Sequence, residues 1–145
     1  MVDDDSAVRT VTATLVRTFG HEVIEAASGE AALDFLERDG RFDLMIIDLA
    51  MPNMHGGELA TRARRLVPAV PMLFVTGYSE TRRIRGITQD HILKKPFRQA
   101  ELAEKLRYIL QPADRRNDAE RRRHPRSDAR PKRARTKSEV LGSPE

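Results

Sequence analysis

The chain has 145 residues, of which 39% are hydrophobic and 5% aromatic, an ordinary composition for one domain with its own core. It contains no cysteine, which excludes disulfides, thiolate metal sites and cysteine nucleophiles. No apolar run approaches the roughly 20 residues of a membrane span, and the acidic N-terminus is unlike a signal peptide, so we expect a cytoplasmic protein with no membrane partner.

Charge is unevenly distributed along the chain. Residues 1–111 carry 15 basic and 16 acidic side chains, whereas residues 112–145 carry 11 basic and 6 acidic ones together with four prolines. The second segment has few large apolar side chains, so it cannot bury enough surface to offset the entropy lost on ordering. We therefore predict a folded domain over 1–111 and a disordered basic tail over 112–145.

The sequence of the first part of the domain predicts a helix, a strand and a second helix. Ser6 is a suitable N-cap for the first helix, and Gly20 is suited to end it. Residues 22–27 have the pattern of a short strand, and a helix follows from Ser28 to Gly40. The apolar positions of the first helix recur every three or four residues, at Val8, Val11, Leu15 and Phe19.

An unbroken apolar run at 44–47 ends abruptly on Asp48. Such a run is typical of a strand whose two faces are both covered. Pro52 and the glycines at 56 and 57 then require a loop. A carboxylate is therefore expected in the crevice where open α/β sheets bind ligands.

The remaining segments continue the alternation of strands and helices. A helix is predicted at 58–67, and a second apolar strand at 72–75 ends on Thr76. A weak helix at 79–89, a short strand at 91–94 and a last helix beginning after Phe97 complete the domain. This order favours an α/β fold, in which a parallel sheet carries helices on both faces.

Polar residues follow the predicted strands at one edge of that sheet: Asp3 with Asp4, then Asp48, Thr76 and Lys95. Clustered carboxylates repel one another unless a cation is present, and a site rich in hard oxygen ligands suits Mg²⁺. A lysine ammonium and a threonine hydroxyl are the groups needed to hold the oxygens of a phosphoryl group attached at Asp48.

Over about residues 1–110 the chain resembles the receiver domains of two-component response regulators. The resemblance implies a doubly wound, flavodoxin-like sheet of five parallel strands in the order 2-1-3-4-5, with five helices. Each motif alone is weak, but their joint occurrence in order is specific. The motifs are an acidic pair, a strand-ending aspartate, a strand-ending threonine and a Lys-Pro pair, here Asp3 and Asp4, Asp48 with Met51 and Pro52, Thr76 with Gly77, and Lys95 with Pro96.

The resemblance also implies roles for these residues. Asp48 would accept the phosphoryl group, and Lys95 and Thr76 would bind its oxygens, with the Lys95-Pro96 peptide bond in the cis form. The metal would be Mg²⁺. Its ligands would be three carboxylates and one backbone carbonyl, namely those of Asp3, Asp4, Asp48 and Ala50.

By the same resemblance, the protein would be a single-domain response regulator that catalyses only its own phosphorylation and dephosphorylation. A sensor histidine kinase or a histidine phosphotransferase would be the phosphoryl donor, and an output partner would bind the face of the fourth helix, fifth strand and fifth helix. The segments at 76–80 and 93–97 are similar to those of receiver domains in hybrid sensor kinases.

Two departures from the family pattern alter these expectations. Only Met1 and Val2 precede the acidic pair, so we expect a truncated first strand and hypothesise that the natural start lies upstream. Ile92 lies three residues before Lys95, where the family often has a switch aromatic, so no aromatic rotamer switch is expected.

Two alternatives come from other classes of protein. The basic tail could bind nucleic acid or another polyanion weakly and without sequence specificity, with the folded domain as its scaffold. An aspartate-nucleophile phosphatase of the haloacid dehalogenase type also uses Asp, Thr or Ser, and Lys at strand ends. That class places two aspartates as Asp-x-Asp, whereas Leu49 and Ala50 follow Asp48.

Overall fold

Three parallel strands form the central sheet: β1 (Met45–Asp48), β2 (Met72–Thr76) and β3 (Ile92–Lys94). The computed structural model describes residues 1–38, 41–77 and 87–112. Within these ranges the strands lie in the order β1-β2-β3, with β3 at one edge. Asp48 pairs with Val75, and Thr76 pairs with Lys94, so the strands end nearly level at one edge of the sheet.

Helices cover both faces of this sheet, as the sequence predicted. Neighbouring residues of a strand point to opposite faces, so Ile46 and Ile47 enter different cores. The core on one side contains Ile47 and Phe74, and the core on the other contains Ile46 and Leu73. The described helices are α1 (Ser6–Thr18), α2 (Gly29–Arg38), α3 (Gly56–Leu66) and α4 (Gln99–Ile109), with a short 3₁₀ helix at Gln89–His91.

The segments predicted as the first two strands form only isolated bridges. Val2 forms parallel bridges to Ala26 on one side and to Ile47 on the other, so the chain segments follow the predicted order 2-1-3-4-5. However, no strand is present at 22–27, and the prediction of five regular strands is not confirmed. The segment 22–27 pairs with its neighbour only through the bridge from Val2 to Ala26, so no ladder forms along it.

Several local predictions need correction. Asp5, not Ser6, caps α1, because its carboxylate accepts hydrogen bonds from the amides of Ala7 and Val8 at 2.9 and 3.1 Å. Val11 is 60% exposed, since the buried stripe of α1 passes through the neighbouring Thr12, Ala13 and Val16. By contrast, the predicted cap at Ser28 is confirmed, since its hydroxyl accepts from the Ala31 amide at 3.1 Å.

Some predictions lie outside the described residues. These are Gly40 as the end of α2, most of the predicted helix at 79–89, and nearly all of the tail at 112–145. Within the described ranges, no helix combines the length and the apolar character needed to cross a bilayer.

An open cavity of about 500 Å³ lies at the amino end of the sheet, beside Met1. Val23, Phe42 and Leu44 are among the apolar residues that line it. The Met1 ammonium donates a hydrogen bond to the carbonyl of Ile24 at 2.8 Å, and burial lowers the pKa of this ammonium from 8.0 to about 6. The space is therefore lined in part by apolar side chains and bordered by the backbone of Ile24.

We expect an apolar extension at Met1 to stabilise the domain. The amide of Val2 donates to the Ile46 carbonyl at 2.8 Å, so an added Val-Ile-Leu segment would continue between Ile24 and Leu44. Each buried side chain contributes about 1.5–3 kcal/mol against an ordering cost of about 1–2 kcal/mol per residue. A net gain of about 2 kcal/mol would raise Tm by on the order of 10 °C.

Thermal unfolding of the extended proteins measures this effect. The matched control is a Gly-Ser-Gly extension of the same length, which also removes the ammonium from Met1 but supplies no apolar side chain. Equal Tm values for the two extensions would contradict the expectation that the cavity holds an apolar strand.

Candidate functional site

The predicted polar residues lie at the carboxyl edge of the sheet. Asp48 is the last residue of β1, Thr76 is the last residue of β2, and Lys95 follows β3. Asp3 follows the Val2 bridge, and its amide donates to the Ala26 carbonyl at 3.2 Å. Since all of these segments are parallel, their ends meet at one edge.

Three carboxylates form a compact acidic cluster at this edge. One oxygen from each of Asp3, Asp4 and Asp48 lies within 4.8 Å of the others. Asp3 is fully buried and Asp48 is 4% exposed, whereas Asp4 is exposed to solvent. Burial raises the pKa of Asp3, and the hydrogen bond from the Asp5 amide and the charge of Lys95 oppose that rise.

Lys95 is the cation that faces this cluster. Its Nζ lies 3.2 Å from Oδ1 of Asp48 and 3.4 Å from Oδ2 of Asp3. Its own amide donates to the Thr76 carbonyl at 2.8 Å, which fixes its backbone against the end of β2. The Lys95-Pro96 peptide bond is cis, as predicted. The structure thus brings together the acidic residues and the lysine that the sequence singled out.

Thr76 occupies the neighbouring position at the end of β2 and is fully buried. Its hydroxyl donates to the carbonyl of Gly77 at 3.0 Å. The hydroxyl therefore makes a local bond to its own chain, and it can reach another acceptor only by giving up this bond.

After the loop that follows β1, the backbone at Gly56 lies very close to the backbone at the end of β1. The amide of Gly56 donates to the Leu49 carbonyl at 3.1 Å, and a Cβ at Gly56 would lie 2.4 Å from the carbonyl oxygen of Asp48. His55 begins α3, since its Nδ1 accepts from the Gly57 amide at 3.1 Å. Ala50 is exposed in this loop, and the role of its carbonyl as a ligand remains a prediction.

The acidic cluster fits a hard divalent cation. Mg²⁺ binds oxygen ligands at about 2.1 Å, so two oxygens on one ion are at most about 4.2 Å apart. The oxygens of Asp3, Asp4 and Asp48 lie within 4.8 Å of one another, which is near this limit. The donor set therefore suits Mg²⁺.

Two residues near the cluster were missed in the sequence. The Asp5 amide donates to Oδ1 of Asp3 at 2.9 Å, and Nη1 of Arg9 donates to the Asp3 backbone carbonyl at 2.7 Å. The Asp-x-x-x-x-x-Arg spacing from Asp3 to Arg9 was the available signal, because it puts the arginine on the first helical turns above the acidic loop. A lone arginine on an amphipathic helix is more often solvated, so this signal is weak.

Comparison with known proteins assigns most of the chain to one family. Residues 1–107 match the family model of the response regulator receiver domain. This match favours the receiver prediction over the phosphatase alternative.

Individual relatives agree with the family match. The chain is 34% identical over 118 residues to the sensor kinase CckA of Brucella abortus, covering 79% of this chain and 12% of that protein. It is 35% identical over 113 residues to the transcriptional regulatory protein CpxR of Escherichia coli, covering 76% of this chain and 47% of the relative. The chain thus spans about half or less of the length of these curated relatives.

Solved structures show the same fold. The receiver domain of the hybrid histidine kinase CckA superimposes with a TM-score of 0.64 at 40% identity, over 76% of this chain and 95% of that one. The chemotaxis protein CheY4 of Vibrio cholerae gives a TM-score of 0.67 at 30% identity, over 75% and 94% of the two chains.

Proposed function

Because this chain belongs to the response regulator receiver family, a family of phosphorylation-dependent signalling domains, we propose that it accepts a phosphoryl group on the carboxylate of Asp48. The observation that carries this proposal is the position of Asp48, which lies buried beside Asp3 with Lys95 at 3.2 Å. Within the acidic cluster that the structure describes, Asp48 is the residue that ends a regular strand, and it contacts the cation that can hold a phosphoryl oxygen.

The transfer is an in-line displacement at phosphorus. An oxygen of Asp48 attacks, the new O–P bond forms, and the bond to the donor breaks with its electron pair leaving on the donor. Lys95, which now contacts two carboxylates, binds an oxygen of the phosphoryl group. The carboxylates of Asp3, Asp4 and Asp48 and the carbonyl of Ala50 would hold Mg²⁺, which when bound would supply positive charge to the phosphoryl oxygens.

Phosphorylation changes the hydrogen bonding of Thr76. Its hydroxyl leaves the Gly77 carbonyl and donates to the phosphoryl group, so the phosphorylated state gains a contact that the free state lacks. The buried Ile92 has no ring to rotate, so the change reaches the surface through movement of the chain around Gly77. An output partner would bind the face that includes β3 and α4 and would respond to this change.

The phosphoryl donor is a sensor histidine kinase or a histidine phosphotransferase. This part of the proposal is supported by the relative described as a sensor kinase and by the solved receiver domain of a hybrid histidine kinase. The domain then serves as a switch or as an intermediate in a phosphorelay.

Intact-mass measurement after incubation with acetyl phosphate tests this function. We expect one phosphoryl adduct in the presence of Mg²⁺ and none when EDTA removes the metal, because the clustered carboxylates then repel the incoming anion. An adduct of equal yield in EDTA would contradict the role of the metal. Absence of any adduct with Mg²⁺ would contradict the phosphoacceptor function.

A further inference from the structure

The backbone of Asp3 is held from both sides by groups outside its own short segment. Its amide donates to the Ala26 carbonyl at 3.2 Å, and its carbonyl accepts from Nη1 of Arg9 at 2.7 Å. Only the single-residue bridge at Val2 precedes it, so no regular strand ladder fixes its orientation. Backbone bonds of Val2 and of the Asp3 amide hold the amino side of Asp3, and the bond from Arg9 holds its carbonyl side.

Arg9 is itself held in place by an ion pair. Its Nε lies 3.6 Å from Oε2 of Glu25, and the other oxygen of Glu25 accepts from Nη2 of Arg17 at 2.9 Å. The side chain of Arg9 is 16% exposed, compared with 45% for Arg17. A planar guanidinium can bond a carbonyl and a carboxylate at the same time, which a lysine ammonium does less well.

We propose that Arg9 is a positioning residue for the metal site, which acts by fixing the backbone of Asp3 so that its carboxylate faces Asp48 and the cation. This inference rests on the proposed Mg²⁺ site. It assigns Arg9 no contact with the metal or the phosphoryl group. Groups that orient metal ligands in this way typically change metal affinity by 10- to 100-fold when they are removed.

The charge of Arg9 and its hydrogen bond to Asp3 have opposite effects on the affinity for Mg²⁺. Arg9 is a cation close to a site for another cation, so its charge alone weakens Mg²⁺ binding, and removing it would tighten binding. Its hydrogen bond to the Asp3 carbonyl has the reverse effect, because losing it lets the carboxylate turn away. Glu25 neutralises much of the charge of Arg9, so we expect the positional effect to dominate.

Titration of the full chain with Mg²⁺ by isothermal calorimetry, without a phosphoryl donor, measures the outcome. We expect Arg9→Gln to raise the Kd for Mg²⁺ by about tenfold. Arg17→Gln is the matched control, since it removes the same charge and a partner of the same Glu25 but leaves the bond to Asp3. We expect it to change the Kd by less than about twofold, as for an exposed ion pair.

Unchanged or tighter binding in Arg9→Gln would overturn the proposal, as would equal weakening in both variants. If the wild-type chain does not bind Mg²⁺ at all, the proposed function is overturned instead. Failure of the proposed function is therefore distinguishable from failure of the role of Arg9. If Arg9→Gln does not fold, Arg9→Lys tests the proposal instead, because lysine keeps the positive charge but lacks the planar guanidinium that bonds both the Asp3 carbonyl and Glu25. We expect it to weaken Mg²⁺ binding by an intermediate factor, and wild-type affinity in Arg9→Lys would then overturn the proposal.

Discussion

Asp48→Asn is expected to abolish the phosphoryl adduct formed with acetyl phosphate and Mg²⁺. A neutral amide oxygen is a far weaker nucleophile than a carboxylate, and the substitution also removes one of the three anionic ligands of the cation. The shape of the side chain is retained, and Lys95 keeps its second partner, Asp3, at 3.4 Å. We therefore expect the loss of chemistry to occur in a folded protein.

The stability of Asp48→Asn separates loss of chemistry from loss of fold. Removing one charge from three clustered carboxylates relieves repulsion, so in the absence of Mg²⁺ we expect Tm to be kept or raised. Asp43→Asn is the matched control, since this aspartate precedes the same strand but is exposed. It should keep the adduct. A full adduct on Asp48→Asn would mean that Asp48 is not the acceptor, and loss of the adduct on Asp43→Asn as well would mean that the effect is not specific to Asp48.

Gly56→Ala is expected to cause a large loss of stability, although it adds only one methyl group. The added Cβ would lie 2.4 Å from the Asp48 carbonyl oxygen and 2.9 Å from Cα of Leu49, both of which are backbone atoms. Because backbone cannot turn aside as a side chain can, the start of α3 must move away from the end of β1. We expect the free energy of unfolding to fall by about 3 kcal/mol.

Gly57→Ala provides the comparison for this effect. Its added Cβ would meet Nδ1 of His55 at 3.2 Å, which is a side-chain contact that a small rotation relieves. Alanine is also a better helix former than glycine, by about 1 kcal/mol. We therefore expect stability within about 1 kcal/mol of wild type in urea denaturation. Similar losses for the two variants would show that the close approach at Gly56 carries no special cost.

The residues that could be predicted from the sequence are those whose position follows from a strand end. Asp48 and Thr76 each terminate an unbroken apolar run, and Lys95 precedes a proline, so their common edge followed from a parallel sheet alone. The same apolar runs predicted helices on both faces, because a strand buried on both sides requires two covering layers. These features depend on local pattern, and the structure agrees with them.

Features that depend on contacts between distant segments could not be predicted in this way. The strand at 22–27 has the correct composition, but its ladder depends on a partner at the N-terminus that is only a bridge at Val2. The role of Arg9 depends on where α1 passes over Asp3. Val11 and Thr12 show the same limit, since periodicity favoured the valine, whereas packing buried the threonine. A small rotation of a helix decides such cases.

The position and length of β3 have a consequence for how copies of this protein behave in concentrated solution. An edge strand presents unpaired amides and carbonyls that can recruit another sheet and lead to aggregation. Here the edge strand has three residues, it ends on the exposed Lys94, and Pro96 follows with no amide hydrogen to donate. A second sheet could form few hydrogen bonds with so short a strand, and pairing would have to accommodate the charged side chain of Lys94. These features of β3 disfavour edge-to-edge association of the described sheet with another sheet.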